Sequence, residues 1–233
     1  MILSRRSVAA ASCAAVVVAG ACVGAMLDGP PASIAGGDPG DFAFLQTQPD
    51  SDAPVTYDPC QPIHVVVNDR RIVDGGDDLL DEAIERVSAA SGLRFVVDGR
   101  SRGSDPDSGS LRERDGAWKP VQVSWSDPAE SSGLAGNVIG YAGSTPLDLD
   151  GHRWYVTGSV VLDGPQMKDL LKRRDGRAEA RATIMHELGH LVGLDHVDEP
   201  GQLMQPQGRP RLTTWGEGDL SGLARLGNGR CRD

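Results

Sequence analysis

Positive charge is sparse and scattered in this chain. Beyond Arg5-Arg6 and Lys172-Arg173-Arg174 there is no basic cluster, and 33 Asp and Glu outnumber 23 Lys and Arg, for a net charge of −10. Such a surface repels phosphate backbones, which excludes nucleic acid as an expected partner and leaves the acidic excess to serve solubility. Internal repeats are absent, which excludes solenoids and propellers. The Asp-rich loops offer oxygen ligands, yet no twelve-residue calcium loop is present, so Ca2+ is conceivable but unsupported. Cysteine and histidine are also scarce, at four and five residues in 233. Where they fall is therefore informative.

Arg5-Arg6 is followed by an uncharged stretch from Ser7 to Leu27, rich in Ala and Val. It reads as an export signal with small-residue cleavage sites at Ala19-Gly20-Ala21 and Val23-Gly24-Ala25. If retained, residues 7–27 are long enough to anchor the protein to the outer face of a membrane. Membrane contact is expected only in that case; the cleaved form is expected to be secreted. Residues 28–56 are rich in Gly, Pro, Asp and Ser and read as a flexible spacer. A catalytic domain is expected over residues 57–233, acting as a monomer. Two cysteines, Cys13 and Cys22, lie inside the signal, which leaves Cys60 and Cys231 in the mature chain. An even pair in an exported protein reads as a disulfide. A cysteine that blocks a metal in a latent form is the alternative, but the surroundings of Cys60, Asp58-Pro59-Cys60-Gln61-Pro62, do not match the expected latency motif.

Ile63 to Asn68 is a short apolar run that predicts a first strand. Asp77 to Ser91 carries Leu80, Ala83, Ile84 and Val87 at helical spacing, with Asp77 or Asp78 as a cap and Gly92 as the stop. Leu93 to Val97 predicts a second strand, and strand–helix–strand suggests a parallel crossover. Val121 to Trp125 predicts a third strand, Ser131 to Pro146 an irregular glycine-rich segment, and Trp154 to Asp163 one further strand. A helix is expected to start near Arg177, with Ile184, Leu188, Leu191 and Val192 as its buried stripe. A last helix is expected over residues 216–226, with Leu220, Leu223 and Leu226 facing inward.

Three of the five histidines fall in one run, His186-Glu187-Leu188-Gly189-His190-Leu191-Val192-Gly193-Leu194-Asp195-His196. His186 and His190, four residues apart, share one helix face and can reach one metal ion together. Gly193 lets the chain leave the helix and turn, which brings His196 round as a third nitrogen ligand. Three protein ligands leave a position open for water, the pattern of a catalytic rather than a structural zinc. Glu187, beside the first ligand, is placed to act on that water as general base. His64, in a strand, and His152, in a loop, read as non-ligands. The competing reading is a non-catalytic zinc-binding module with the same fold; the intact Glu187 argues against it.

On this run, together with Leu203-Met204-Gln205-Pro206 shortly after it, the chain resembles the metzincins, zinc endopeptidases with an extended three-histidine motif and a Met-turn. Gly193 to His196, the Leu-Met-x-Pro turn, and Asp219, Gly222, Leu223 and Leu226 are most similar to matrixins. Asp58 to Ile63 resembles the opening of small matrixin-like proteases exported by actinobacteria. Val197 and Gln205 depart from the Ser and Tyr frequent in animal matrixins, and no second zinc loop is recognisable around His152. The resemblance implies an α+β fold: a twisted mixed sheet with an antiparallel edge strand, two long helices, one carrying the zinc motif, and a small C-terminal subdomain with the Met-turn and terminal helix. It implies that Met204 packs beneath the metal. It also implies a protein or peptide substrate, paired with the strand bearing Gly158, Ser159, Val160 and Val161 as the sheet edge.

Overall fold

The computed structural model describes residues 41–101, 111–113, 115–206 and 212–232. The export signal and residues 28–40 of the expected spacer lie outside the described residues. Among those described, no helix is long and apolar enough to cross a membrane.

The main sheet has five strands in the order β3-β2-β4-β6-β5. These are β2 (Ile63–Asn68), β3 (Phe95–Arg100), β4 (Val121–Ser126), β5 (Gly140–Leu149) and β6 (His152–Asp163). The first two, β4 and β6 are mutually parallel, while β5 runs antiparallel to β6 at the edge. A two-stranded antiparallel sheet joins β1 (Ala43–Phe44) to β7 (Leu194–Asp195). The helices are α1 (Gly76–Ser91), α2 (Gly164–Leu171), α3 (Gly176–Val192) and α4 (Glu217–Gly227).

The expected crossover is present: α1 links the parallel pair β2 and β3, and Gly92, at φ 80°, ends it. Its start differs from expectation. Gly75 precedes the first turn with no side-chain cap, and Asp77 and Asp78 instead sit in that turn, where carboxylates face the positive end of the helix dipole. One core unites Leu79, Leu80, Ala83 and Val87 of α1 with Val65, Val123, Val160 and Leu162 of the sheet and Ile184, Leu188 and Leu191 of α3. Arg177 and Arg181 of α3 both bond Glu82 of α1, which fixes the two long helices to each other.

Four expectations are corrected. First, the domain reaches further toward the N-terminus than residue 57. Phe44 and Val55 are buried in the core, and β1 pairs with β7, so at least residues 43–56 belong to the fold rather than to a spacer. Phe42 to Leu45 is an apolar run too short to show a period, and Ala53 and Val55 follow it among polar residues and Pro. Second, the segment read as irregular contains most of β5, a ten-residue strand. Its hairpin to β6 turns through Asp150 and Gly151, both at positive φ, the backbone of a two-residue type I′ loop. The Asp-Gly pair was the available signal; the strand's own Gly, Ser, Thr and Pro masked it. Third, α2 was not anticipated, although Asp163 caps it by accepting from Gln166 N at 2.8 Å and Pro165 occupies its first turn. Fourth, Leu220 of α4 is 43% exposed, while Leu223 and Leu226 are buried as expected. The stripe on α3 is buried too, but so are Met185, Gly189 and His190, so the second half of this helix is covered nearly all round.

Candidate metal centre

The site is built where α3 ends. His186 and His190 project from one face of the helix, and Gly193, at φ 124°, turns the chain into β7. Only glycine takes that backbone without strain, and a Cβ there would also lie 3.0 Å from Leu226 Cδ2. The turn is held from the N-terminal side: Leu45 N donates to Gly193 O at 2.9 Å, and Ala43 pairs with Asp195. Asp195 Oδ1 in turn accepts from His196 N at 2.7 Å, which brings the third imidazole back over the helix.

The three Nε2 atoms converge, with 3.1 Å between His186 and His190, 3.1 Å between His186 and His196, and 3.0 Å between His190 and His196. Two backbone carbonyls decide what these nitrogens can do. Leu203 O lies 2.7 Å from His186 Nδ1 and Leu194 O lies 2.8 Å from His190 Nδ1. A carbonyl only accepts, so each Nδ1 carries the proton and each Nε2 presents a lone pair. Burial, the dominant cause in each case, pushes all three imidazoles toward the neutral form: His186 down to about 4, His190 well below the usual value, and His196 down as well. Neutral nitrogens are what a metal requires. Three converging lone pairs repel one another unless a cation lies among them, and nitrogens on a tetrahedral zinc with bonds near 2.0–2.1 Å sit about 3.3 Å apart. The residues present fit zinc.

Glu187 is buried, and its Oε2 has no hydrogen-bond partner among the described residues. Burial pushes its carboxyl up to about 8, and a neighbouring cation acts in the opposite direction. The carboxylate lies against the first residue of β5: a Cβ at Gly140 would come within 2.9 Å of Glu187 Cγ.

Met204 is 1% exposed and packs against Gly189, between the two helix ligands. A Cβ at Gly189 would lie 2.7 Å from Met204 Sδ, so the glycine in the histidine run makes room for the thioether. The turn around Met204 is clamped by α4. The Asp219 carboxylate accepts from Leu203 N, from Met204 N at 3.3 Å and from Gly216 N at 2.9 Å. Val197 N donates to Met204 O at 3.1 Å and closes the loop beneath the ligands. Met204→Leu, which conserves volume, is expected to cost under about 1.5 kcal/mol and leave zinc affinity intact. Met204→Ala leaves a cavity under the imidazoles and is expected to cost roughly 2–5 kcal/mol and weaken zinc binding. Melting temperature and zinc titration of the two variants check this; equal, negligible effects would deny Met204 its place under the site.

The sequence-derived residues therefore assemble as follows. The Nε2 atoms of His186, His190 and His196 converge, Glu187 of the same helix is buried against Gly140, and Met204 packs against Gly189. His64 instead pairs with Asp98 at 2.9 Å, and His152 contacts Gln48 at 3.2 Å and packs on the Trp154 ring; neither joins the triad. Cys60 and Cys231 form a disulfide with their Cα atoms 5.5 Å apart. The strand bearing Gly158, Ser159, Val160 and Val161 is misassigned as an edge. It is β6, an interior strand with β4 on one side and β5 on the other, so its main chain has no free side for a substrate. The edge beside Glu187 is β5.

Residues 125–225 match the family model of the matrixins. Over that stretch the chain is similar to the matrixins. The matched stretch runs from β4 into α4 and contains the three histidines, Glu187 and Met204. Among solved structures, archaemetzincin from Methanopyrus kandleri is similar over 70% of this chain and 93% of its own, at 16% identity and a TM-score of 0.45. Comparison with curated proteins gave no match.

Proposed function

We propose that this protein is an exported zinc-dependent endopeptidase that hydrolyses peptide bonds in extended segments of other proteins. The observation that carries the reading is the convergence of three Nε2 atoms within 3.1 Å of one another at the end of the helix that also carries the buried Glu187. A zinc ion held there supplies Lewis-acid chemistry: it acidifies water and polarises a carbonyl. The chain's own residues do the rest. Leu203 O and Leu194 O hold His186 and His190 in the ligating tautomer and orientation. Glu187 takes the proton from the attacking water at its carboxylate and delivers it to the departing amine. Substrate binds by strand addition. Among the described residues only one side of β5 is used, by β6, and an extended peptide laid along the other side gains main-chain hydrogen bonds that begin next to Glu187. The net charge of −10 suits release into an aqueous exterior, as the N-terminal segment also suggests.

The test is cleavage of a proteome-derived peptide library by the purified mature chain. Cleavage is expected to stop after chelation and return with added zinc. Stoichiometric zinc binding without cleavage of any peptide would make the protein a binding module instead.

A further inference from the structure

Three oxygens form a chain between the N-terminal segment, the edge strand and the metal helix. Tyr57 Oη lies 2.6 Å from Ser144 Oγ, and Ser144 Oγ lies 2.6 Å from Leu191 O. The proton order follows from chemistry. Leu191 O can only accept, so the single Ser144 proton goes to it, and the Tyr57 hydroxyl must donate to Ser144. Leu191 is in the last turn of α3, where the carbonyls have no helical amide to receive from; Ser144 satisfies one of them.

The surroundings are shaped to admit this contact. Gly158 of β6 lies alongside, and a Cβ there would fall 2.5 Å from Gly143 O, 2.7 Å from Ser144 Oγ and 2.8 Å from Leu191 Cδ1. Gly158 thus clears space rather than touching a substrate. Residues 140, 142 and 144 share one face of β5, and contacts at Gly140 and Ser144 place that face against α3. Two of the contacts between strand and helix lie four residues apart on both elements: Gly140 on Glu187 and Ser144 on Leu191. Among the described residues, the bond from Ser144 to Leu191 is the side-chain hydrogen bond that joins the two elements.

We infer that Tyr57 and Ser144 are positioning residues: their hydroxyl chain to Leu191 sets the placement of β5 over the metal helix, and with it the alignment of a bound peptide with Glu187. This rests on the reading of β5 as the strand that pairs with substrate. Neither hydroxyl touches the reacting atoms. Displacement of a bound reactant by about 1 Å can cost up to 10²-fold in rate, so loosening the strand is expected to be felt at the chemical step.

The experiment compares Ser144→Ala, Tyr57→Phe and the double variant with the wild-type zinc-loaded chain. The readouts are zinc content, hydrogen exchange of the β5 amides bonded to β6, and kcat and KM for an extended peptide well below the melting temperature. Ser144→Ala is expected to keep one zinc per chain, to speed β5 exchange, and to lower kcat/KM about tenfold. Tyr57→Phe, which leaves the bond from Ser144 to Leu191 in place, is expected to fall between. The double variant is expected to be no worse than Ser144→Ala, because the two act through one chain. Unchanged β5 exchange in Ser144→Ala, or a kcat/KM loss fully accounted for by unfolded protein, overturns the inference. A wild-type chain that binds zinc but cleaves nothing overturns the endopeptidase reading, while the exchange data still report separately on the hydroxyl chain.

Discussion

Glu187→Gln is expected to lower peptide-bond turnover by at least about 10²-fold, the lower range for loss of a positioned base, with one zinc per chain retained. The substitution is nearly isosteric in a site where space matters, because Gly140 lies directly against the Glu187 side chain. It removes the group that accepts and returns the proton and leaves the three nitrogens untouched. Thermal stability is expected to hold or rise. Burial disfavours the charged carboxylate, and an amide has no charge to desolvate. Steady-state kinetics, metal analysis and a melting curve on one preparation check the three parts together. Near-wild-type turnover with zinc bound would remove Glu187 from the base role, and loss of zinc would show that its carboxylate helps hold the metal.

His186→Ala, His190→Ala and His196→Ala are each expected to abolish stoichiometric zinc after dialysis and, with it, all cleavage. Each removes one of three protein bonds, and two ligands do not make a site that competes with water for zinc. The stability pattern is equally specific. A zinc ion held by the three imidazoles would bind the folded chain and not the unfolded one, so chelation is expected to lower the wild-type melting temperature. The variants, already empty, are expected not to respond. Metal content by atomic spectroscopy and paired melts with and without chelator make the measurement. Zinc retained by the His196 variant would assign the third position to a neighbour such as Asp195 or Asp198.

The convergence of the three histidines was legible in the sequence because its information is local. Two histidines one helical turn apart and a glycine three residues later specify a face and an exit without knowledge of the rest of the fold. The parallel strands were legible for a similar reason: β2 and β6 carry short apolar runs, and β4 alternates apolar and polar residues. What stayed hidden depends on neighbours in space. Whether β6 is an edge cannot be read from Gly158 to Val161; it depends on β5, whose composition imitates a loop and whose only plain marker is the Asp150-Gly151 turn. The role of the N-terminal segment was hidden likewise. Ala43 and Phe44 do not look like a strand until β7 supplies a partner, and β7 exists because Gly193 turns the chain there. Tyr57 and Ser144, 87 positions apart, carry no motif at all; their meaning arises from an orphan carbonyl at the end of α3.

The bond between Cys60 and Cys231 spans a sequence separation of 171 and encloses all three histidines, Glu187 and Met204. Covalently, this part of the molecule is a ring with two tails. One backbone cut inside the ring opens it but releases no fragment, so the two pieces remain a single molecule of nearly unchanged mass until a reductant separates them. For a protein exposed to peptidases, a first cut is survivable: the severed halves cannot diffuse apart, and the histidines they carry stay at high effective concentration to one another.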